Sequence, residues 1–186
     1  MNKFVLLVLL VSLLMLPAIA QETPKAEVFG GYQYTHISVD GVAVPVAPLS
    51  SNSTGFSLNG WNASLTGNFN KHFGVAADFS GAYKSISGVS AKIYTYTFGP
   101  VVSLNHEGTI NPFAHALFGG AHASASFEGN GAGSNGFSMM MGGGVDAKVS
   151  PRLAIRAIQA DWVYYRFEGI GQSKNVRIST GVVFRF

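Results

Sequence analysis

Alternation of apolar and polar positions runs through most of this chain, and it is clearest at the end. Along residues 175–186 one phase reads Val176, Ile178, Thr180, Val182, Phe184 and Phe186. The other reads Asn175, Arg177, Ser179, Gly181, Val183 and Arg185. A β-strand turns successive side chains to opposite faces, so this segment has one greasy face and one mostly polar or small. The same period recurs upstream, where Trp61, Ala63, Leu65 and Phe69 oppose Asn62, Ser64, Thr66 and Asn68. Likewise Phe73, Val75, Ala77 and Phe79 oppose Gly74, Ala76, Asp78 and Ser80. The pattern predicts eight strands, over residues 26–37, 55–69, 72–84, 91–104, 112–127, 137–148, 152–167 and 174–186. Each reaches the 9–11 residues that a tilted strand needs to cross a bilayer.

The segments between the strands alternate in length. Asn70-Lys71, Asn105 to Asn111 and Val149-Ser150-Pro151 form a shorter set. Val39 to Thr54, Ser85 to Ser90, Glu128 to Gly136 and Glu168 to Ser173 form a longer one, rich in Gly, Ser and Asn. Short turns on one side and longer loops on the other are the habit of transmembrane barrels, and an even strand number then puts both ends of the barrel on the short-turn side. Two places resist the pattern. Pro100 falls inside the fourth strand, where a missing N–H is expected to mark a bulge or a frayed end. In the seventh strand Arg156 and Asp161 lie on opposite phases. A bulge near Ala157-Ile158 is expected to bring both to one face.

Alternation does not say which face is inside, because a soluble barrel alternates too, with its apolar side inward. Composition decides the direction. Charged residues are 11% of the chain, against about 25% in soluble domains, too few to solvate the outside of a soluble barrel. The aromatics sort by depth. Phe69, Phe73, Phe184 and Phe186 fall at one set of strand ends, and Tyr32, Tyr34, Tyr83, Tyr94, Tyr96, Trp162 and Tyr164 toward the other. Two aromatic girdles around an apolar band describe a wall facing lipid. The net charge is +3 and the basic residues are scattered singly, so a nucleic-acid partner, which needs a clustered basic footprint, is not expected. There is no cysteine, and disulfides do not contribute.

The first residues address the compartment. Met1-Asn2-Lys3 is followed by an apolar run from Phe4 to Leu16 and by Pro17-Ala18-Ile19-Ala20. A positive start, a run shorter than a spanning helix and a small-x-small exit predict a cleavable signal peptide over residues 1–20. The mature chain is then one barrel domain, residues 21–186, and Gln21 at its start predicts no lipid anchor.

Several segments carry a family resemblance: the signal peptide, Gly30-Gly31-Tyr32-Gln33-Tyr34, the strand Gly142-Gly143-Gly144-Val145-Asp146 with the turn Val149-Ser150-Pro151, and the terminal Phe184-Arg185-Phe186. Together they resemble the OmpA-like outer-membrane β-barrel family over the whole mature chain. The resemblance implies an all-β, eight-stranded antiparallel up-and-down barrel in the outer membrane, in contact with its lipid and lipopolysaccharide. It also implies that Phe186 resembles the terminal aromatic read by the barrel-assembly machinery. Larger family members carry a peptidoglycan-binding domain after the barrel; residues 21–186 offer no counterpart, and that activity is not expected.

An eight-stranded barrel is just wide enough for its own side chains. The lumen candidates are Glu27, Asp78, Asp146, Arg156, Asp161, Arg177 and Arg185. Charges in so narrow a space must pair, since an isolated one carries a large desolvation penalty. A structural ion-pair network is therefore expected, with a proton or ion path as the alternative. His36 and His106 fall at strand ends and His72 beside a turn, while His115 and His122 sit seven apart on one strand and should face opposite ways. No metal-ligand spacing appears, and neither a metal nor a cofactor is expected. His122-Ala123-Ser124 has the His-x-Ser spacing of a lipid A deacylase, and period two puts both side chains on one face as a base–nucleophile pair requires. The Asn that follows the Ser in that family is Ala125 here, which argues against an enzyme. The segment Asp40 to Ser53 is apolar for a loop, with one charge. It is expected to touch either a surface ligand or the rim and headgroups. The expected function is a structural or surface-interaction barrel, ahead of a lipid-modifying enzyme or a small-solute pore.

Overall fold

A computed structural model describes residues 24–38, 55–86, 89–106, 108–127 and 130–186. The signal peptide and cleavage site that the sequence predicts, and the Val39–Thr54 segment, lie outside the described residues. Eight strands follow one another in sequence and close into an antiparallel barrel. They are β1 Ala26–Ser38, β2 Gly55–Asn68, β3 Phe73–Ile86, β4 Val89–Ser103, β5 Ile110–Phe127, β6 Asn130–Ser150, β7 Leu153–Phe167 and β8 Ile170–Arg185. Closure joins β1 to β8 from Glu27↔Arg185 up to His36↔Val176, so no full-length edge remains. The backbone of Phe186 completes the seam, bonding to Lys25 and Ala26.

Burial follows the alternation. The phase predicted to be greasy lies outside, with Val28, Leu65, Val75, Phe98, Ile155, Ile178 and Phe184 exposed on the wall. Both girdles are in place, and the upper one satisfies its polar tips across strands. Tyr32 Oη donates to Asn59 Oδ1 at 2.7 Å, and Trp61 Nε1 donates to Tyr83 Oη at 3.0 Å. Amphipathic rings of this kind suit the membrane–water boundary.

The anomaly in β7 resolves as expected. β7 carries one residue more than each neighbour between Arg156 and Gln159, and both registers shift there. Ala157 and Ile158 both point outward, and Arg156, Gln159 and Asp161 all become buried. The bulge thus lets one strand keep its charges in the lumen on both sides of the phase change.

Pro100 behaves differently from the expectation. It lies within β4, paired to Val75, and on the β5 side the register is the same before it (Phe98↔Phe118) and after it (Val101↔His115). The ladder skips two pairs without inserting a residue, because Gly99 beside Pro100 lets the β5 backbone approach closely. No bulge or frayed end is needed.

Three of the predicted outer loops are strand instead. β3–β4, β5–β6 and β7–β8 are hairpins closed at Ile86↔Val89, Phe127↔Asn130 and Phe167↔Ile170, each with two residues between the pair. Glu168 (φ 49°) and Gly169 (φ 87°) sit left-handed at the last of these tips, the backbone that a two-residue hairpin turn requires. Gly and Ser lower intrinsic strand propensity, but the continuous ladder with β5 holds residues 130–136 in strand, and pairing with β7 holds residues 170–172, before a register shift interrupts that ladder at residues 173–174. On the opposite rim, Asn70 Oδ1 accepts from the N–H of His72 and of Phe73 at 2.9 and 2.8 Å, fixing the β2–β3 turn.

Candidate functional site: the barrel lumen

All seven lumen candidates are buried, and the barrel brings them together at two heights. At the short-turn end, Arg185 Nε lies 3.0 Å from Glu27 Oε1. His106 Nε2 approaches the same oxygen at 3.2 Å. The Arg185–Glu27 contact is an ion pair whose geometry is not that of a hydrogen bond, and Arg185 Nη2 has no hydrogen-bond partner among the described residues. His106 comes from the β4–β5 turn, which folds beneath the barrel until the ring is 3% exposed. Asn68 and the Lys71 carbonyl also reach it. Sequence placed this histidine at a strand end; the structure makes it part of the floor.

Above that floor runs one connected chain of side chains. Arg156 grips Asp146 with two bonds, Nε to Oδ1 at 2.8 Å and Nη2 to Oδ2 at 3.1 Å. Its Nη1 donates to Gln159 Oε1, and Gln159 Nε2 donates to Asp161 Oδ2, each at 2.8 Å. Arg177 Nε donates to the same Asp161 oxygen at 2.8 Å. Arg177 Nη1 then crosses the lumen to Asp78 Oδ1 at 2.7 Å. Asn62 Nδ2 closes the line on Asp78 Oδ2 at 2.9 Å. The chain links β6, β7, β8, β3 and β2. Bidentate, charge-assisted bonds of this kind are the strong ones, and they offset the desolvation that burying the five ions of this line demands.

Two features of the lumen were not read from sequence. His115 also faces inward, its Nε2 2.8 Å from Asp161 Oδ1. Its phase on β5 carries Phe113 and Leu117, so the segment gave no polar face to follow. The Arg156 guanidinium lies between two aromatic rings, 4.4 Å from the centroid of Phe29 and 4.2 Å from that of Phe113. These rings come from β1 and β5, so together with Arg156 on β7 they fill a cross-section. A desolvated cation over an aromatic face gains about 2 kcal/mol or more.

Toward the other rim the lumen turns apolar. Ile37, Leu58, Met140, Val163 and Tyr165 are buried together there, with Phe56 packed against them. Between floor and charged chain lies a cavity of about 20 Å³, lined by Glu27, Asp78, His115, Asp146 and Arg156 among others. That is room for about one water.

His122 and Ser124 share the outer face of β5, where their partners across the ladder are Tyr94 and Lys92. The His122 ring is held through Nδ1 by Asn135 Oδ1 at 2.8 Å, an amide and not a carboxylate. Among the described residues no three His, Asp or Glu side chains converge as metal ligands would. Phe186 stands 66% exposed on the lipid-facing phase with Phe184.

The closed eight-strand wall, apolar outside and charged within, is matched over residues 6–186 by the model of the outer membrane protein β-barrel domain. The chain belongs to that family. This outer-membrane β-barrel protein also shares its fold with solved structures at low identity. Neisserial surface protein A (NspA) superposes with a TM-score of 0.65 at 16% identity, covering 87% of this chain and 97% of that one. Ail, the attachment invasion locus protein of Yersinia pestis, gives 0.60 at 21% identity, with coverages of 88% and 99%. OprG of Pseudomonas aeruginosa gives 0.52 at 13% identity, with coverages of 90% and 99%. No curated protein matches the chain by sequence. The family places the protein in the outer membrane, and the rim that bears the raised hairpins and the long 39–54 connection is then the outer one, with the rim of the Asn70 turn facing the periplasm.

Proposed function

We propose that this outer-membrane barrel is closed to solutes and serves envelope integrity and surface interaction, acting neither as a pore nor as a lipid-modifying enzyme. The observation that carries the reading is the unbroken side-chain line from Asp146 to Asn62 across the lumen, with a one-water cavity below it and an apolar layer above. A hydrated path would need that line to open and the Ile37–Tyr165 layer to part, with loss of paired charges and of apolar packing at once. The lipid A deacylase alternative loses support from His122, whose ring is oriented by an amide, and from Ala125 after Ser124. Ail has been solved with the heparin analogue sucrose octasulfate, a precedent for a barrel of this fold presenting a ligand surface.

The test is twofold. Purified barrel in planar bilayers should give little or no conductance, and large, stable single-channel currents would sink the closed-lumen reading. Cells in which residues 39–54 are replaced by a short Gly-Ser linker should lose surface adhesion while assembling normally. Unchanged adhesion, or altered lipid A in a deletion strain, would turn the assignment away from display by that segment and toward the enzyme.

A further inference from the structure

The lipid-facing wall is not evenly filled. In its periplasmic half the register aligns Ala26, Gly67 and Val75, and one row higher Val28, Leu65, Ala77 and Phe98. Small residues thus run obliquely over three neighbouring strands, with Ala26 on β1, Gly67 on β2 and Ala77 on β3. Leu65 and Val75 flank this line, and Phe69 and Phe98 rise beside it, 74% and 66% exposed. The result is a groove of about 330 Å³ on the outside of the barrel. Two interstrand spacings set the length of its floor, about 10 Å.

A glycine on such a wall is ordinarily covered by an aromatic neighbour that replaces the missing side chain. Gly81 follows that rule, since Tyr83 and Trp61 hold the space that a Cβ there would need, and Tyr164 does the same for Gly171. Gly67 does not. A Cβ built on it meets nothing within 4 Å, although two phenylalanines line the same groove. Both rings stand away from the floor and leave it bare. Every outward-facing side chain of the lining is apolar, and the ladders on either side already pair the backbone, so the groove offers a peptide nothing to bond. The connections 39–54, 87–88 and 128–129 join strands at the opposite rim, and residue 107 belongs to the β4–β5 turn. Where the described chain begins, the Pro24 carbonyl accepts from Asn68 Nδ2, and Asn68 also contacts the His106 ring in the floor. β1 is therefore entered from the lumen side of β2, away from the groove.

We propose that this groove holds one acyl chain of a glycerophospholipid of the periplasmic leaflet, in preference to the rest of the wall. Position sets the chemistry of the occupant. The chain belongs to an outer-membrane family, the groove lies on the face turned to hydrocarbon, and one of its banks is the Phe69 that marks the periplasmic girdle. Lipopolysaccharide occupies the other leaflet. A second copy meeting the groove symmetrically would bring hollow against hollow and leave a void without partner atoms. Only a ridge from another part of its wall would fit, and such a contact would appear as a dimer. A flexible acyl chain fills the hollow without giving up any polar bond.

The experiment uses the barrel refolded into vesicles of palmitoyl-oleoyl phosphatidylethanolamine and phosphatidylglycerol, then moved to detergent for native mass spectrometry. The barrel should keep one phospholipid after the detergent is stripped. Gly67→Leu and Ala77→Leu each fill the groove with a side chain and should lower the retained fraction about tenfold, as the loss of two or three buried methylenes implies. Gly30→Leu makes the same change on the same wall outside the groove, where a Cβ also meets nothing within 4 Å, and should retain lipid as the parent does. Heat-modifiable gel migration reports folding of each variant, and a groove variant that does not fold is set aside for the other. A spin label on the acyl chain gives a second readout in the vesicles: a motionally restricted component in the parent and in Gly30→Leu that the groove variants lose. Absence of retained lipid, equal retention in the groove variants and Gly30→Leu, or a dimer in place of the lipid-bound monomer would each overturn the proposal.

Discussion

The ring of Tyr96 lies over Gly120, its direct partner across the β4–β5 ladder, and occupies the space that a methyl group at Gly120 would need. A bare glycine on a lipid-facing strand is thereby covered by its neighbour, and the pair acts as one packed unit. Gly30, also on the wall, has nothing in that space.

The two glycines should respond to alanine with opposite signs. Gly30→Ala should be neutral or stabilising by up to about 1 kcal/mol, because it only restricts the unfolded chain. Gly120→Ala should destabilise by about 1 kcal/mol, as the ring is displaced from its rotamer. Urea unfolding from lipid vesicles reads both midpoints. A double-mutant cycle with Tyr96→Ala should show coupling, and strict additivity would mean that the ring does not cover the glycine.

Arg177 bonds carboxylates on two strands, and its loss leaves both buried without their cation. Arg177→Met should cost about 3–5 kcal/mol. Adding Asp78→Asn and Asp161→Asn to that variant should recover much of the loss, since neutral amides need no counter-ion. A triple variant no more stable than Arg177→Met alone would show that the cost lies in lost packing and not in stranded charge.

Deletion of Ala157 tests the bulge. Removing one residue turns one half of β7 over relative to the other, which forces either Arg156 or Asp161 with Gln159 into lipid. A charged side chain on the lipid face near the midplane costs about 2–4 kcal/mol for arginine, and its lost partner adds to this. The deletion variant should fail to show heat-modifiable migration after refolding, whereas Ala157→Val should fold normally.

Phe186 is proposed to serve assembly as well as packing. Its backbone closes the β1–β8 seam, and the ring is exposed toward lipid. Loss of the ring removes on the order of 1.5–3 kcal/mol of burial at most, which a closed ladder can bear. Phe186→Ala should therefore refold into lipid in vitro, yet reach the outer membrane of cells in reduced amount. Normal amounts in cells would leave the residue a packing role alone.

The sequence by itself determined the strand number, the outward and inward phases, the bulge at Ala157-Ile158 and the identity of the seven lumen charges. Each of these is written locally, because period two and the cost of placing a charge in lipid act along a single strand. The tertiary structure decided who meets whom. Arg177 and Asp78 lie 99 residues apart, and only barrel closure and register set them at one height. His115 and the Phe29–Arg156–Phe113 stack were hidden for a related reason: inside a narrow barrel, burial follows from crowding, so apolar and polar side chains share the inner face. His106 and the tall β5–β6 hairpin were hidden because turn-forming composition reports local preference. A buried carboxylate drew one turn under the floor, and a continuous backbone ladder carried a Gly- and Ser-rich segment upward as strand.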